Sequence, residues 1–196
     1  MRLRLNGATV LDIGANKGIY CFWMMRAVGR SGRVIAFEPQ PEMRDSIERR
    51  KLRFDWRNLR VMNVALSNSD GSMNLSRQKV GDGSASLELA RRRSTDATLD
   101  VQVTRLDAMP EETFRNLKFI KCDVEGHELN VFLGGEQTLR RHRPVVVAGG
   151  GVAADPGQRR CRPIPFRGAP GLDLPDGDAR GDPSAPDPGG RNRHLQ

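Results

Sequence analysis

The order of apolar and polar residues divides the chain in two. It keeps to strand or helix periods as far as about residue 148 and to neither beyond. Residues 10–13 (VLDI) are a short apolar run that reads as a strand, and residues 18–28 (GIYCFWMMRAV) are apolar on most sides, as in a buried helix. A turn at 29–32 (GRSG) leads to a second strand at 33–37 (RVIAF). Residues 39–54 place Met43, Ile47 and Phe54 at helical spacing with Arg and Glu between, predicting an amphipathic surface helix with Pro41 in its first turn. A third strand is expected over 59–66 (LRVMNVAL), a turn at 68–71 (NSDG) and a continuing strand at 72–76. Residues 77–98, polar and basic, predict an irregular excursion. Strands follow at 101–105 and 119–124 (FIKCDV). One helix is expected over 128–141, with Leu129, Phe132, Leu133 and Leu139 inward, and a last strand over 144–148 (PVVVA).

Strands alternating with helices predict an α/β fold, a parallel sheet flanked by helices. Ligands of such sheets sit beyond the carboxyl ends of the strands, where Asp12, Glu38 and Asp123 fall. The domain organisation expected is a folded unit over 1–148 and a tail over 149–196. That tail holds most of the prolines, from Pro156 to Pro188, and has too few apolar residues to offset its ordering entropy, so disorder is expected there.

The loop after the first strand carries the first chemical signal. A strand, a glycine turn and a helix make a nucleotide-cofactor pocket, because glycine lets the backbone approach the ligand. This loop reads G-A-N-K-G, not G-x-G-x-x-G, and Asp12 just before it would repel a dinucleotide's pyrophosphate. A cationic ligand resolves the conflict, and S-adenosylmethionine carries an ammonium and a sulfonium. Glu38, ending the second strand, stands where a carboxylate accepts both ribose hydroxyls. Asp12, the loop Gly14, Asn16 and Gly18, and Glu38 thus form one cofactor-binding constellation.

A second cluster, FIKCDVEGHE at 119–128, puts Lys121, Asp123, Glu125, His127 and Glu128 at a strand end and a helix start. Asp123 would orient or deprotonate an acceptor hydroxyl, or bind a metal, and His127 is the alternative base. Glu125 and Glu128 also suit a first helical turn on electrostatic grounds, and Lys121 suits a charge partner. Three ligands within five residues rarely enclose one ion, so no metal site is expected.

Charge and cysteine content narrow the setting. Net charge is +8, with arginine scattered as on a solvated surface, and few aromatic residues are available to stack on bases, which counts against nucleic acid as partner. Cys21, Cys122 and Cys161 are odd in number and far apart, which argues against a disulfide framework and for a reducing, cytoplasmic compartment. No run approaches the roughly 20 apolar residues of a membrane span.

Five segments, VLDIGANKGIY, GRVIAFEPQPE, NVALSNSDGSMNL, VQVTRLD and FIKCDVEGHELNVFLGG, resemble the FkbM-type S-adenosylmethionine-dependent methyltransferases in the family's order, over about residues 8–148. The resemblance implies a Rossmann-like class I methyltransferase sheet and methyl transfer to a hydroxyl of a sugar or small natural product. It assigns cofactor binding to Asp12, Gly14, Asn16, Gly18 and Glu38, places 63–67, with Asn63 and Ala65, on the adenine side, and sets Asp123, Glu125 and His127 at the reaction centre. The resemblance stops after RPVVV, where closing strands would follow, so a sheet incomplete at its C-terminal strands, by truncation or frameshift, is expected. Two alternatives stand beside an active O-methyltransferase: a non-catalytic fragment retaining at most cofactor binding, and a basic nucleic-acid binder using RRKLR at 49–53, ARRRS at 90–94 and the arginines of the tail.

Overall fold

The computed structural model describes residues 3–88 and 94–149. The expected tail, all but Gly149, and the RRR run at 91–93 lie outside the described residues. In chain order come β1 (Thr9–Ile13), α1 (Ile19–Val28), β2 (Arg33–Phe37), α2 (Pro41–Arg53), β3 (Leu59–Met62), β4 (Ala65–Leu66), β5 (Gly71–Arg77), β6 (Ala97–Thr104), β7 (Leu117–Cys122), α3 (Glu128–Leu133), α4 (Glu136–His142) and β8 (Val145–Ala148).

Five strands form one parallel sheet in the order β3-β2-β1-β7-β8. The chain steps outward from β1 to β3, then returns to the other side of β1 as β7. The strand order therefore reverses between β1 and β7, which is where such sheets open a crevice for ligands. Register pairs Ile13 with both Phe37 and Cys122, so β1, β2 and β7 end level. The residues just beyond, Gly14, Glu38 and Asp123, share one rim. A smaller sheet, β4-β6-β5, stands apart, with β5 antiparallel to β6.

The two-residue period of the central strands builds two cores. Leu11, Ile13, Ile35 and Phe37 face Leu106, Phe114 and Val131 on one side of the sheet. Val10, Val34 and Ala36 face Cys21, Met24, Met25 and Val28 of α1 and Ile47 of α2 on the other. The parallel α/β architecture expected from the sequence is the one observed.

Five expectations change. The run 59–66 is two strands in two sheets: β3 ends at Met62, and the Asn63 side-chain amide donates to the carbonyls of Glu38 and Pro39, turning the chain away before β4. The helix expected over 128–141 breaks into α3 and α4 at Gly134–Gly135, where Gly135 leaves helical backbone (φ −122°, ψ 17°) and Gly134 passes so close to β4's end that a Cβ there would lie 1.9 Å from the Ser67 carbonyl oxygen. Leu129 and Leu133 are exposed, since α3 turns Glu128 and Val131 inward instead; Glu128 accepts hydrogen bonds from the Val124 and Gly126 amides. Phe54 is also exposed, as are Ile19 and Tyr20, so α1 buries one face only.

Candidate active site

The glycine loop leaves β1 through left-handed backbone at Gly14, Asn16 and Gly18 (φ 73°, 51° and 79°). Only glycine fits at position 14, where a Cβ would lie 2.1 Å from the Asp123 carbonyl oxygen. Gly14 and Ala15 both donate to the Phe37 carbonyl at 3.0 Å, which ties the loop to the end of β2. Glu38 completes the tie: Oε2 accepts from the Asn16 amide at 2.7 Å and Oε1 from the Gln40 amide at 3.0 Å. It is 4% exposed, and burial pushes its carboxyl above the ordinary carboxylate value against those two hydrogen bonds. Asn63 holds the carbonyl of Glu38 at 2.9 Å, and Ala65 is buried at the start of β4. Loop, β2 end and β3–β4 junction are thus joined.

Asp12 lies wholly enclosed inside β1. Cys21 Sγ donates to Oδ2 at 3.2 Å, while Oδ1 has the Lys121 ammonium at 3.2 Å and no aligned hydrogen bond. Burial pushes the Asp12 carboxyl up, against the pull of Lys121. Lys121 is its cross-strand partner on β7. Its Nζ also donates to the Gly14 carbonyl at 2.7 Å, stands 4.0 Å from Asp123 Oδ2 and lies 5.1 Å from the Tyr20 ring centroid. The charge partner expected of Lys121 is therefore Asp12, and the counter-cation of Asp12 is the protein's own.

Asp123, just past β7, is the open carboxylate of the rim, with its side chain 48% exposed. Its amide donates to the Ile13 carbonyl at 3.0 Å. Glu125 takes left-handed backbone (φ 54°) and accepts from Ser86 Oγ at 2.9 Å through its carbonyl. His127 is 2% exposed with both ring nitrogens engaged. A carboxylate only accepts, so Nδ1–H donates to Glu88 Oε1 at 2.6 Å, and Nε2 shares a hydrogen bond with Ser67 Oγ at 2.9 Å. Gly14, Asn16, Glu38 and Asp123 are brought together on one rim, with Asp12 enclosed beneath it in β1 and Gly18 opening α1 against Ile47. Glu125 and His127 lie beside it, behind residues from the excursion.

That excursion is a hairpin loop closed at its base by paired hydrogen bonds between Ser76 and Ser86, at 2.8 and 2.9 Å. Its tip reaches the cofactor loop: Gln40 Nε2 donates to the Asp82 carbonyl at 2.9 Å, and a Cβ on Gly83 would lie 2.8 Å from Asn16 Nδ2. Gln40, Asp82 and Glu88 are residues that sequence reasoning did not single out, and Ser67, expected with 63–67 on the adenine side, is bonded to His127. Gln40 and Ser67 lay within quoted segments, but no spacing signals contacts made across 42 and 60 residues of chain.

Residues 12–152 match the family model described as the methyltransferase FkbM domain. The chain is 26% identical over 157 residues to methyltransferase sdnD of Sordaria araneosa, covering 65% of this chain and 60% of that protein. The crystal structure of methyltransferase FkbM from Methylobacillus flagellatus KT superposes with a TM-score of 0.54 at 16% identity, over 74% of this chain and 34% of that one. The chain thus spans about three fifths of the curated relative it matches. Among the described residues no helix is long and apolar enough to cross a membrane.

Proposed function

The chain belongs to the FkbM methyltransferase family, and from that premise we propose that it uses S-adenosylmethionine to methylate a hydroxyl oxygen of a sugar or small natural product. The carrying observation is the joint between Glu38 and Asn16 at the switch-point rim. An ionised carboxylate has about four lone-pair sites. The Asn16 and Gln40 amides use two, which leaves capacity for two ribose hydroxyls in an oriented group. Gly14 supplies the close backbone approach, and the buried acceptors Asp12 Oδ1 and Gln40 Oε1 lack aligned donors. These features fit the cofactor.

In this reading Gly14, Asn16, Gly18 and Glu38 hold the cofactor, with Asn63 and Ala65 on the adenine side. Asp12 acts from beneath, through Lys121 and the loop. Bound S-adenosylmethionine supplies an electrophilic methyl group. Asp123, the exposed carboxylate, orients the acceptor hydroxyl and takes its proton. Glu125 and His127 complete the reaction centre by fixing the loop after β7. Alignment of the acceptor supplies much of the rate. The buried free thiols of Cys21 and Cys122 suit a reducing, cytoplasmic setting.

A second reading, cofactor binding without turnover, is favoured by β8, whose Val147 and Ala148 are exposed on an apolar strand. Calorimetric titration of S-adenosylmethionine into wild type and Glu38→Gln tests both. Micromolar binding weakened at least tenfold in the variant is expected, and a wild-type chain that folds without binding overturns the first reading. Binding without methyl transfer to any hydroxylated acceptor supports the second.

A further inference from the structure

Part of the ligand rim is shut in. Glu38 and its neighbour Gln40 are buried, although they lie at the rim where such sheets take their ligands. The hairpin 76–86 lies against Gln40 and Asn16, the two residues whose amides hold Glu38. Its base is fixed to the reaction side: Ser86 donates to the Glu125 carbonyl, and Glu88 just beyond accepts from His127. Its interior is tied as one body, since the Asp82 carboxylate accepts from the Gln78 and Ser84 amides at 2.9 and 3.0 Å. Its tip is held down on the cofactor side by a different set of contacts. Gln40 Nε2 donates to the Asp82 carbonyl, Glu42 Oε1 accepts from the Gly81 amide at 2.9 Å, and Glu42 pairs with Arg77. The tip thus rests on the residues that flank Asn16 and Glu38.

We propose that residues 77–85 are a flap hinged on the Ser76–Ser86 pair, and that Gln40 and Glu42 are positioning residues that latch it over the cofactor loop. This rests on the cofactor reading above. Lifting the tip breaks the contacts to Gln40 and Glu42 and uncovers Asn16 and Gln40, the residues that hold Glu38, while the base stays anchored through Ser86 and Glu88. Entry and release of cofactor then pass through the open form, so the latch sets both rates.

Stopped-flow association and dissociation of S-adenosylmethionine, measured on the full chain, test this with Glu42→Ala and Gln40→Met. Each variant is expected to raise both rates about tenfold, the equivalent of one hydrogen bond. Glu42 lies outside the cofactor contacts, so its variant separates latching from binding. A merely structural role lowers the melting temperature and leaves the rates alone, and that result overturns the flap. Hydrogen exchange gives a second readout: the Gly81 and Ser84 amides should exchange faster in Glu42→Ala and slow when cofactor binds. A wild-type chain with no affinity for the cofactor overturns both this inference and the reading beneath it. Wild-type binding with rates unmoved in both variants overturns the flap alone.

Discussion

Replacing Lys121 by methionine removes a buried cation and keeps most of its side-chain volume. That ammonium donates to the Gly14 carbonyl and stands 3.2 Å from an Asp12 carboxylate with no solvent exposure. Breaking a buried pair from one side costs about 3–5 kcal/mol. Asp12 has one escape, which is to take up a proton. From its ordinary value of 3.8, at 1.36 kcal/mol per pH unit, that costs about 4 kcal/mol at pH 7 and about 1.6 kcal/mol at pH 5. The loss is therefore capped near 4 kcal/mol at neutral pH and shrinks on acidification. The sign follows from linkage. Burial raises the folded-state value of Asp12, so above 3.8 the folded chain holds this proton more tightly than the unfolded chain. Stability falls as pH rises through that window, and it falls further in the variant, which lacks the opposing cation. Urea unfolding of wild type, Lys121→Met, Asp12→Asn and the double variant at pH 5 and pH 7 measures the coupling. The single Lys121 variant should lose about 3–4 kcal/mol at pH 7 and under half of that at pH 5, with the double variant recovering most of it. An equal loss at both pH values, or a double variant no more stable than the single, refutes the ion-pair account.

Other outcomes follow from the same rim. Gly14→Ala should cost about 2–5 kcal/mol by urea unfolding, from left-handed backbone and the collision with the Asp123 carbonyl, which must move by about an ångström. Asp123→Asn should leave S-adenosylmethionine affinity within a few-fold in calorimetry and lower methyl transfer by about 10²–10⁴, and a variant of full activity removes Asp123 as the base. Burial pushes the Cys122 thiol up to about 12 and the Cys21 thiol higher still. Peptide mapping after treatment with a thiol reagent at pH 8 should therefore find both unlabelled in the folded chain and labelled after unfolding; labelling in the folded state contradicts their enclosure.

Much of the fold was legible because its signals are local. The short, nearly continuous apolar runs of 10–13 and 33–37 identify strands buried on both faces, and the 3.6-residue period at Met43 and Ile47 identifies the inner face of α2. Asp12, Glu38 and Asp123 were legible as rim residues because a parallel sheet presents the carboxyl end of every strand on one side. Local pattern failed where a distant segment set the geometry. Residues 128–141 read as one helix, but it breaks at Gly134–Gly135, where the distant Ser67 backbone leaves no room for a side chain on residue 134. Residues 59–66 read as one strand, and only the hydrogen bonds from Asn63 back to Glu38 and Pro39 divide it between two sheets.

Local pattern carries the α/β class and the identity of the strand-end carboxylates, because period and strand-end position are properties of neighbouring residues. Tertiary structure alone decided which group faces which. It spent the carboxylate of Asp12 on Lys121, closed both nitrogens of His127 against Ser67 and Glu88, and folded the hairpin tip down onto Gln40. Each of these contacts joins residues at least 39 positions apart. Their energy depends on distance and burial in three dimensions, quantities that spacing along the chain does not encode.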